Sequence, residues 1–311
     1  MAGQPLDWVH NEPEPSACRA VDGIVGIIGG PTKGNLFLEQ GWQRLGLAAS
    51  LMLPPAAAAT LREGDVALVR LDVLASLDGV EAGLDKVSVL VRGGVRVLNR
   101  PSALFAVHDK LVTHELLSAA GVPHPATVHV TDLAGLLDVP MPCVVKPRFG
   151  SWGKDVFRCR TRTEWRRTLR SVADRAWFRR HGALVQQLLE TDGSDLRVLV
   201  AGGRVVGAAR RVAAAGEWRT NVTLGGLLEP VAAVPDDAAD LSLAAVAVVG
   251  ADLVCVDVLP TPRGPVVLEL NGAADFDARY SLPGEDVYLE AAVALRLPTR
   301  SCAEHEPVAS A

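Results

Sequence analysis

Residues 143–154 read CVVKPRFGSWGK, and they indicate the fold more clearly than any other part of the chain. An apolar run that ends in a lysine and meets two glycines is typical of a buried strand opening into a loop. Backbone N–H groups of such a loop can cradle a phosphate, while Lys146 and Lys154 supply positive charge. A lysine that closes an apolar strand can also simply extend into solvent, so this stretch alone leaves both readings open. It is not a Walker loop, because G-x-x-x-x-G-K-[ST] is absent.

Two later apolar runs supply oxygen atoms that suit a metal ion. LVCVDVL contains Asp257, and PVVLELN contains Glu269 and Asn271. Alternate residues of a strand share a face, and the turn PTPRG between the runs lets Asp257 share the face of the other two. Carboxylate and amide oxygens are ligands that Mg²⁺ prefers. Each residue alone can merely end a strand, but the three together predict a metal site.

The rest of the chain has the mixed pattern of an α/β protein. GIVGIIGG at 23–30 predicts a buried strand and turn, followed by a helix near Leu36–Leu45 and a second strand at DVALVRLD, 65–72. The turn at Gly29 and Gly30 resembles half of a dinucleotide fingerprint, but its spacing does not fit G-x-G-x-x-G. We therefore place no chemistry there.

Capping signals locate two helices in the middle of the chain. Asp109 predicts a helix start with Lys110 in the first turn and a stop at Gly121. Thr161 and Glu164 predict a capping box. The second helix has apolar positions at the spacing of one helical face: Trp165, Leu169, Val172 and Ala176.

The C-terminal third reads mainly as strands. A hairpin is predicted at Gly202-Gly203, a helix at DDAADLSLAAVAVVG, and two strands at DLVCVDVL and PVVLELN.

Bulk properties exclude several classes of protein. The 311 residues are 49% apolar, which argues against a disordered or fibrous chain. A net charge of -5 gives no chain-wide support for binding nucleic acid or a membrane surface. The most apolar stretch, Leu241–Leu259, contains two aspartates, so we expect soluble core rather than a membrane helix. Five widely spaced cysteines without a C-x-x-C pair, and a start that lacks the apolar core of a secretory signal, predict a cytoplasmic protein.

Several motifs together resemble one family. In order they are Lys110, VVKPRFGSWGK, VQQLLETDGSDLRVLVAGGRVVGAARR, EWRTNVTLGG, VDVL and VVLELNG. Their order and spacing are similar to those of the RimK-like carboxylate–amine ligases of the ATP-grasp superfamily, over about residues 99–298. The GSWG loop is most similar to LysX enzymes, which join an amino acid to an acidic carrier protein.

The resemblance implies an α/β (α+β) chain with the ATP-grasp fold. An N-terminal pre-ATP-grasp α/β domain at 23–107 would precede two α+β subdomains, at 108–190 and 191–300, that enclose ATP, with the metal site in the second. Residues 1–22, in which Pro, Glu and Ser alternate, and residues 301–311 are expected to be mobile tails.

The resemblance also implies the nucleotide site. Lys110 and Lys146 would bind phosphates, and a loop of four residues would close over them: Ser151, Trp152, Gly153 and Lys154. Backbone groups of Gln187 and Leu189 would meet adenine, and Glu190 would meet the ribose. Family members commonly have Glu at the position of Gln187, but a backbone contact survives that change.

Residues between the nucleotide and the acceptor would carry the chemistry. The resemblance assigns this space to Asp195, Arg211, Arg219 and Asn221. The metal would be Mg²⁺, with Mn²⁺ as an alternative, held by Asp257, Glu269 and Asn271.

The reaction implied is the attack of a carboxylate on the γ-phosphate of ATP, which gives ADP and an acyl phosphate, and then attack by an amine. Amino acids or peptides would be the substrates, and the enzyme would be a homo-oligomer. The alternatives are a glutamate-adding ligase that acts on a protein or cofactor tail, and a nucleotide-binding module without turnover. NGAADFDARY at 271–280 departs from the Ser-Pro or His-Thr stretch of many members, so the substrate pocket is not transferable.

Arginines are concentrated around the second predicted helix. They lie at positions 158, 160, 162, 166, 167, 170, 175, 179 and 180. In an otherwise acidic chain they could dock a small acidic carrier protein. The alternative is an ordinary solvated basic face.

Overall fold

The computed structural model describes residues 23–132 and 139–298, which form three β-sheets with helices packed against them. The tails predicted at 1–22 and 301–311, with Cys18 and Cys302, lie outside the described residues. This mixture of sheets and helices confirms the predicted α/β (α+β) class.

The first sheet is parallel and has the strand order β2-β1-β3-β4. Its strands are β1 (Val25–Ile28), β2 (Ala49–Met52), β3 (Val66–Val69) and β4 (Arg96–Leu98). The strands predicted at 23–30 and 65–72 are confirmed, but the second of them is the third strand of the chain. The sequence pattern missed β2 because it is a short edge strand in which only the first residue is buried.

Four helices accompany this sheet. They are α1 (Lys33–Arg44), α2 (Pro54–Thr60), α3 (Leu84–Arg92) and α4 (Pro101–His108). The Thr32 hydroxyl caps α1 by accepting the N–H of Asn35. The carboxyl ends of β1 and β3 point toward one edge, where loops of parallel sheets commonly meet ligands.

The second sheet is antiparallel and has the order β5-β8-β6-β7. Its strands are β5 (Thr127–Val130), β6 (Cys143–Pro147), β7 (Phe157–Cys159) and β8 (Ala183–Gln187). Lys146 is the fourth residue of β6, and every residue of that strand is buried. The strand therefore carries a lysine into the interior.

Two helices cover the second sheet, α6 (Arg162–Val172) and α7 (Ala176–His181). Thr161 caps α6 through the N–H of Glu164, as predicted, while the Glu164 carboxylate returns to the N–H of Arg160. The predicted extension of this helix to Ala176 is wrong. Arg175 adopts an extended backbone, so the chain turns and Ala176 starts a new helix.

The third sheet is antiparallel and has the order β11-β10-β9-β12-β13. Its strands are β9 (Ser194–Ala201), β10 (Arg204–Val212), β11 (Leu227–Pro230), β12 (Leu253–Leu259) and β13 (Val266–Asn271). Helices α8 (Asp236–Val249) and α9 (Val287–Ala294) pack against it. The predicted hairpin at Gly202-Gly203 is confirmed, and both glycines have positive φ, 52° and 76°, which glycine adopts at no steric cost.

Helix α5 (Lys110–Ala119) follows the elements of the first sheet in the chain and precedes those of the second. The Asp109 side chain caps it by accepting the N–H groups of Leu111 and Val112. The helix packs on α8 and β13 of the third sheet, although the chain continues from it into the second. Because α4 also packs on β13, one apolar core runs from the first sheet to the third and brings Lys110 near the end of β13.

Among residues 23–132 and 139–298, no helix has the length and apolarity that crossing a membrane requires. The cysteines in the described part of the chain, Cys143, Cys159 and Cys255, are buried free thiols.

Candidate functional site

A cleft of about 950 Å³ lies between the second and third sheets. Most of the predicted site residues line it. They are Lys110, Lys146, Ser151, Trp152, Gly153, Gln187, Leu189, Asp195, Arg211, Arg219, Asn221, Asp257 and Glu269. The structure thus brings together residues that are up to 159 positions apart, since Lys110 and Glu269 lie at the two ends of the set.

Two lysines mark one end of the cleft. Lys146 Nζ donates to Gln186 Oε1 at 2.8 Å, and Lys110 Nζ lies 3.1 Å from a carboxylate oxygen of Glu269. Burial lowers the pKa of Lys146 to about 8, because a desolvated ammonium is disfavoured. A phosphate group at this end would meet two ammonium groups that are already held in place.

The loop after β6 is fixed at its base. The Asp109 carboxylate accepts two hydrogen bonds from Arg148, at 2.7 and 2.6 Å, while also capping α5. Lys110 Nζ donates to the carbonyl oxygen of Gly150 at 2.8 Å. One helix start therefore positions both the first lysine and the loop that follows the second.

The same loop reaches the opposite wall of the cleft. Arg219 Nη1 donates to the Gly153 carbonyl at 2.8 Å, and the Thr223 hydroxyl donates to the Trp152 carbonyl at 3.3 Å. Gly153 has a φ of 67°, and a Cβ there would lie 2.7 Å from the Asn221 side-chain oxygen. A glycine is required here by both the conformation and the close approach.

The end of β8 also lines the cleft. Gln187 and Leu189 line it, but the Gln187 N–H donates to the Ala126 carbonyl within the sheet. Any backbone contact of Gln187 with a base would therefore use its carbonyl oxygen.

Asp257 is the centre of a buried charge network. It is fully buried, receives two hydrogen bonds from Arg197 at 2.7 and 2.8 Å, and lies 2.8 Å from Arg211. Arg211 also pairs with the buried Asp195. Burial alone would raise the pKa of Asp257, but the two guanidinium groups outweigh it and hold that pKa below its ordinary value.

The geometry of β12 and β13 brings the three predicted metal ligands together. Asp257 and Glu269 are directly paired across the strands, and Asn271 Nδ2 donates to Asp257 at 3.4 Å. Two carboxylates and an amide are oxygen donors that suit Mg²⁺, and an ion that binds phosphates keeps other positions for them. The residues therefore fit this ion, provided that the Asn271 amide turns its oxygen toward it.

A second cavity of about 930 Å³ adjoins the first. The two share Ser151, Trp152, Arg211, Asn221 and Glu269, and Asn271 lines only the second. The second cavity extends to the carboxyl ends of β1 and β3, where it meets Thr32 and Asp72. A group bound in the first cavity would therefore face a ligand bound in the second.

Two predicted residues lie outside these cavities. Lys154 is exposed, and its Nζ donates to the Ala75 carbonyl at 2.8 Å, which directs it away from the cleft. Glu190 is also exposed, although its neighbours Leu189 and Thr191 line the cleft.

Sequence reasoning missed other residues of the site. Arg197 is the bidentate partner of Asp257, and Gln186 holds Lys146. Arg197 follows Asp195 at a spacing of two along β9, so strand alternation was a signal that places both on one face. Gln186 had no comparable signal, because its role depends on pairing with β6.

The chain is similar to known proteins in sequence and in fold. The RimK-like ATP-grasp domain model matches residues 107–287. A probable alpha-L-glutamate ligase of Aeromonas salmonicida is 35% identical over 196 residues, which cover 61% of this chain. The match spans 64% of that relative, just under two thirds of its length.

Solved structures share the fold. A RimK domain ATP-grasp protein from Sphaerobacter thermophilus superposes with a TM-score of 0.64 and 20% identity, covering 88% of this chain and 98% of that one. The ATP-grasp ligase PsnB, in complex with precursor peptide PsnA2 and AMPPNP, gives 0.62 and 18%, covering 90% and 98%. With the domain match extending over more than half of the residues, the chain belongs to the RimK-like ATP-grasp family.

Proposed function

We propose that the protein is an ATP- and Mg²⁺-dependent carboxylate–amine ligase that forms an amide bond through an acyl phosphate and releases ADP and phosphate. The observation that carries this proposal is the contact between Lys110 and Glu269 at 3.1 Å, beside the buried Lys146. It places two cations that we propose bind phosphate beside a carboxylate that we propose binds the metal, and this carboxylate lines both cavities.

The chain's own residues would act mainly by positioning and by neutralising charge. Lys110 and Lys146 would hold phosphate oxygens, Arg219 would hold the loop at Gly153, and Arg211 would face charge that develops at the transferred group. Phosphoryl transfer needs little covalent help from a protein, so this set is sufficient for the chemistry. The metal, when bound by Asp257, Glu269 and Asn271, neutralises phosphate charge.

Product analysis tests the proposal. The chain is incubated with Mg-ATP, hydroxylamine, and a pool of amino acids and small peptides. We expect ADP whose formation depends on a carboxylate substrate, together with a hydroxamate, because hydroxylamine traps an acyl phosphate. Formation of AMP and pyrophosphate would refute the mechanism.

The substrates proposed are an amino acid and the carboxylate of a peptide, carrier protein or amino acid. PsnB, which shares the fold, is an ATP-grasp ligase seen with a precursor peptide. The relatives named as glutamate ligases support the alternative, the addition of glutamate to a protein or cofactor tail. A nucleotide-binding module without turnover would have less need for both lysines and a complete set of metal donors.

An acidic carrier protein is proposed as a partner of the arginine-rich surface, defined as the nine arginines from 158 to 180. All nine are exposed, and Arg175 and Arg180 form ion pairs with Asp155 and Asp78. Such a surface attracts acidic chains over a distance set by ionic strength.

Charge reversal at Arg166 and Arg170 tests this docking. We expect the affinity for a glutamate-rich peptide to fall about tenfold in the double variant to Glu, and to fall with added salt in the wild type. The matched control is Arg263→Glu, an exposed arginine in the turn between β12 and β13. Equal affinities in all three proteins, measured by fluorescence anisotropy, would exclude docking on this surface.

The cytoplasmic location, the homo-oligomer and the division at residues 107 and 190 stay predictions. The buried free thiols are compatible with a reducing compartment. Each sheet lies within one of the predicted segments, although α5 packs on the third sheet.

A further inference from the structure

The second cavity contains arginines, but each one is already paired with a carboxylate of the chain. Arg197 pairs with Asp257, Arg211 with Asp195 and Asp257, and Arg279 with Asp277 at 2.7 Å. The first two pairs are buried or nearly so, and breaking a buried pair by removing a partner is strongly unfavourable. Arg197 and Arg211 are therefore poor ligands for the carboxylates of a substrate, and Arg279 already has Asp277 as a partner.

The remaining basic group that lines this cavity is a histidine. His108 is buried, and its Nε2 is 2.8 Å from the Leu71 carbonyl oxygen. Burial and the charge of Lys110 lower the pKa of His108 to about 4, so it is neutral at physiological pH. In the described part of the chain, the cavity thus offers no unpaired cation to an anionic ligand.

Two carboxylates that line the same cavity differ from its arginines in their pairing. Within residues 23–132 and 139–298, Asp72 and Asp275 form no ion pair. Asp72 accepts the N–H of Val73 at 2.7 Å, and Asp275 accepts the N–H of Gly34 at 2.8 Å. Each of them keeps lone pairs for a further donor.

One buried cation lies behind these two carboxylates. Arg70 is 2% exposed, does not line the cavity, and donates to Asn35 Oδ1 at 2.6 Å and to the Ala274 carbonyl at 2.7 Å. Its single charge acts on both Asp72 and Asp275. The local charge is therefore negative, with two carboxylates facing one guanidinium.

The pKa of Asp72 agrees with an excess of negative charge near this residue. Burial first, and then the negative charge of Glu81, raise the pKa of Asp72 to about 6, despite the opposing effects of the Val73 N–H and of Arg70. A carboxylate in such a field gains when a cation approaches it.

Resting on the ligase function proposed above, we propose that the second cavity binds the amine substrate as a basic amino compound, with its cationic group against Asp72 and Asp275. A dicarboxylate such as glutamate brings two negative charges to a cavity without an unpaired cation among the described residues, and is disfavoured on this ground. The chain would therefore differ in its amine substrate from the relatives named as glutamate ligases.

The reacting nitrogen is a different group from the cation that is bound. In the second step an uncharged amine nitrogen forms a bond to the acyl carbon, while the carbon–oxygen bond to phosphate breaks. Phosphate leaves with that electron pair, and the nitrogen loses one proton to water. A substrate with a second basic group keeps its charge on the aspartates throughout.

Calorimetric titration of the full chain tests this inference. The protein is first saturated with Mg²⁺ and a nonhydrolysable ATP analogue, and then titrated with L-lysine, L-arginine, L-norleucine or L-glutamate. We expect lysine or arginine to bind at least about tenfold more tightly than norleucine, which has a similar shape without the side-chain charge, because hydrogen bonds between charged groups are the stronger ones. Glutamate should bind most weakly.

Conservative variants locate the contact. Asp72→Asn and Asp275→Asn should each weaken the basic ligand about tenfold or more and leave norleucine unchanged. Asn at 275 keeps an oxygen for the Gly34 N–H, so α1 retains its contact. The control is Asp240→Asn, an exposed position on α8, which should change nothing.

The results of these titrations distinguish a failure of this inference from a failure of the proposed ligase function. Tighter binding of glutamate, equal or absent binding of the four amino acids, or unchanged affinity for the basic ligand in both aspartate variants would overturn the inference. If the nucleotide analogue binds in those cases, the proposed ligase function is unaffected. If the analogue itself does not bind, the proposed function fails and the inference falls with it.

Discussion

Replacing Glu269 with glutamine is expected to lower turnover about a thousandfold while leaving the fold intact, since a single electrostatic group at a reacting centre contributes about 10²–10³ in rate. Glu269 lines both cavities and lies opposite Asp257 across the strand pair. The change removes one negative charge from the metal donors and leaves Lys110 without its carboxylate partner. Size and hydrogen-bonding capacity are nearly unchanged, so the loss reports on charge.

Two measurements check this result. ADP release is followed as a function of Mg²⁺ concentration, and thermal unfolding by circular dichroism confirms that the variant is folded. The concentration of Mg²⁺ needed for half-maximal turnover should rise, which a purely structural defect would not produce. Glu229→Gln on β11, an exposed position of the same sheet, is the control. Turnover within threefold of the wild type in the Glu269 variant would remove this residue from the metal site.

Adjacent arginines on β10 should differ sharply in their contribution to stability. Arg211 is 4% exposed and pairs with the buried Asp195 and Asp257, whereas the side chain of Arg210 is 45% exposed and pairs with Asp192 and Glu229. Burial and the nearby charge of Arg197 oppose the charged form of Arg211, but the two aspartates outweigh them and raise its pKa. Arg211→Met should cost about 3–5 kcal/mol, because it leaves Asp195 buried and unpaired.

Arg210→Met is the matched control and should cost about 1 kcal/mol or less, as for other exposed pairs. Urea unfolding of both variants gives the comparison, with the same side chain introduced at neighbouring positions on opposite faces of one strand. Because small domains have about 5–15 kcal/mol of stability in total, the Arg211 variant should unfold at a much lower urea concentration. Equal unfolding midpoints would show that the buried network does not stabilise the fold.

Local signals in the sequence account for much of the fold. Asp109 and Thr161 cap the helices that follow them, and the alternation of Glu269 and Asn271 places them on one face of β13. These predictions succeeded because each depends on residues within one turn of helix or one strand. The edge strand β2 was missed, since one buried and three partly exposed residues leave little pattern to detect.

Residues of the candidate site could be predicted from the sequence where a single segment contains them. They were harder to predict where the site depends on contacts between distant segments. Lys146 and the loop after it could be recognised from their own stretch of sequence. The direction of Lys154 could not, because its partner is the Ala75 carbonyl, 79 residues earlier. Likewise, the contribution of Asp72 to the second cavity depends on the first sheet packing beside the third, which no local pattern encodes.

The fastening of the loop after β6 has a consequence for the timing of successive reactions. Its two carbonyl oxygens, at Trp152 and Gly153, are held by Thr223 and Arg219 on the far wall. Two such bonds together contribute about 2–4 kcal/mol, so the released loop would be populated about 3% of the time or less. In the proposed ligase, spent nucleotide would leave only through this released state, so its exit would be slowed about thirtyfold or more.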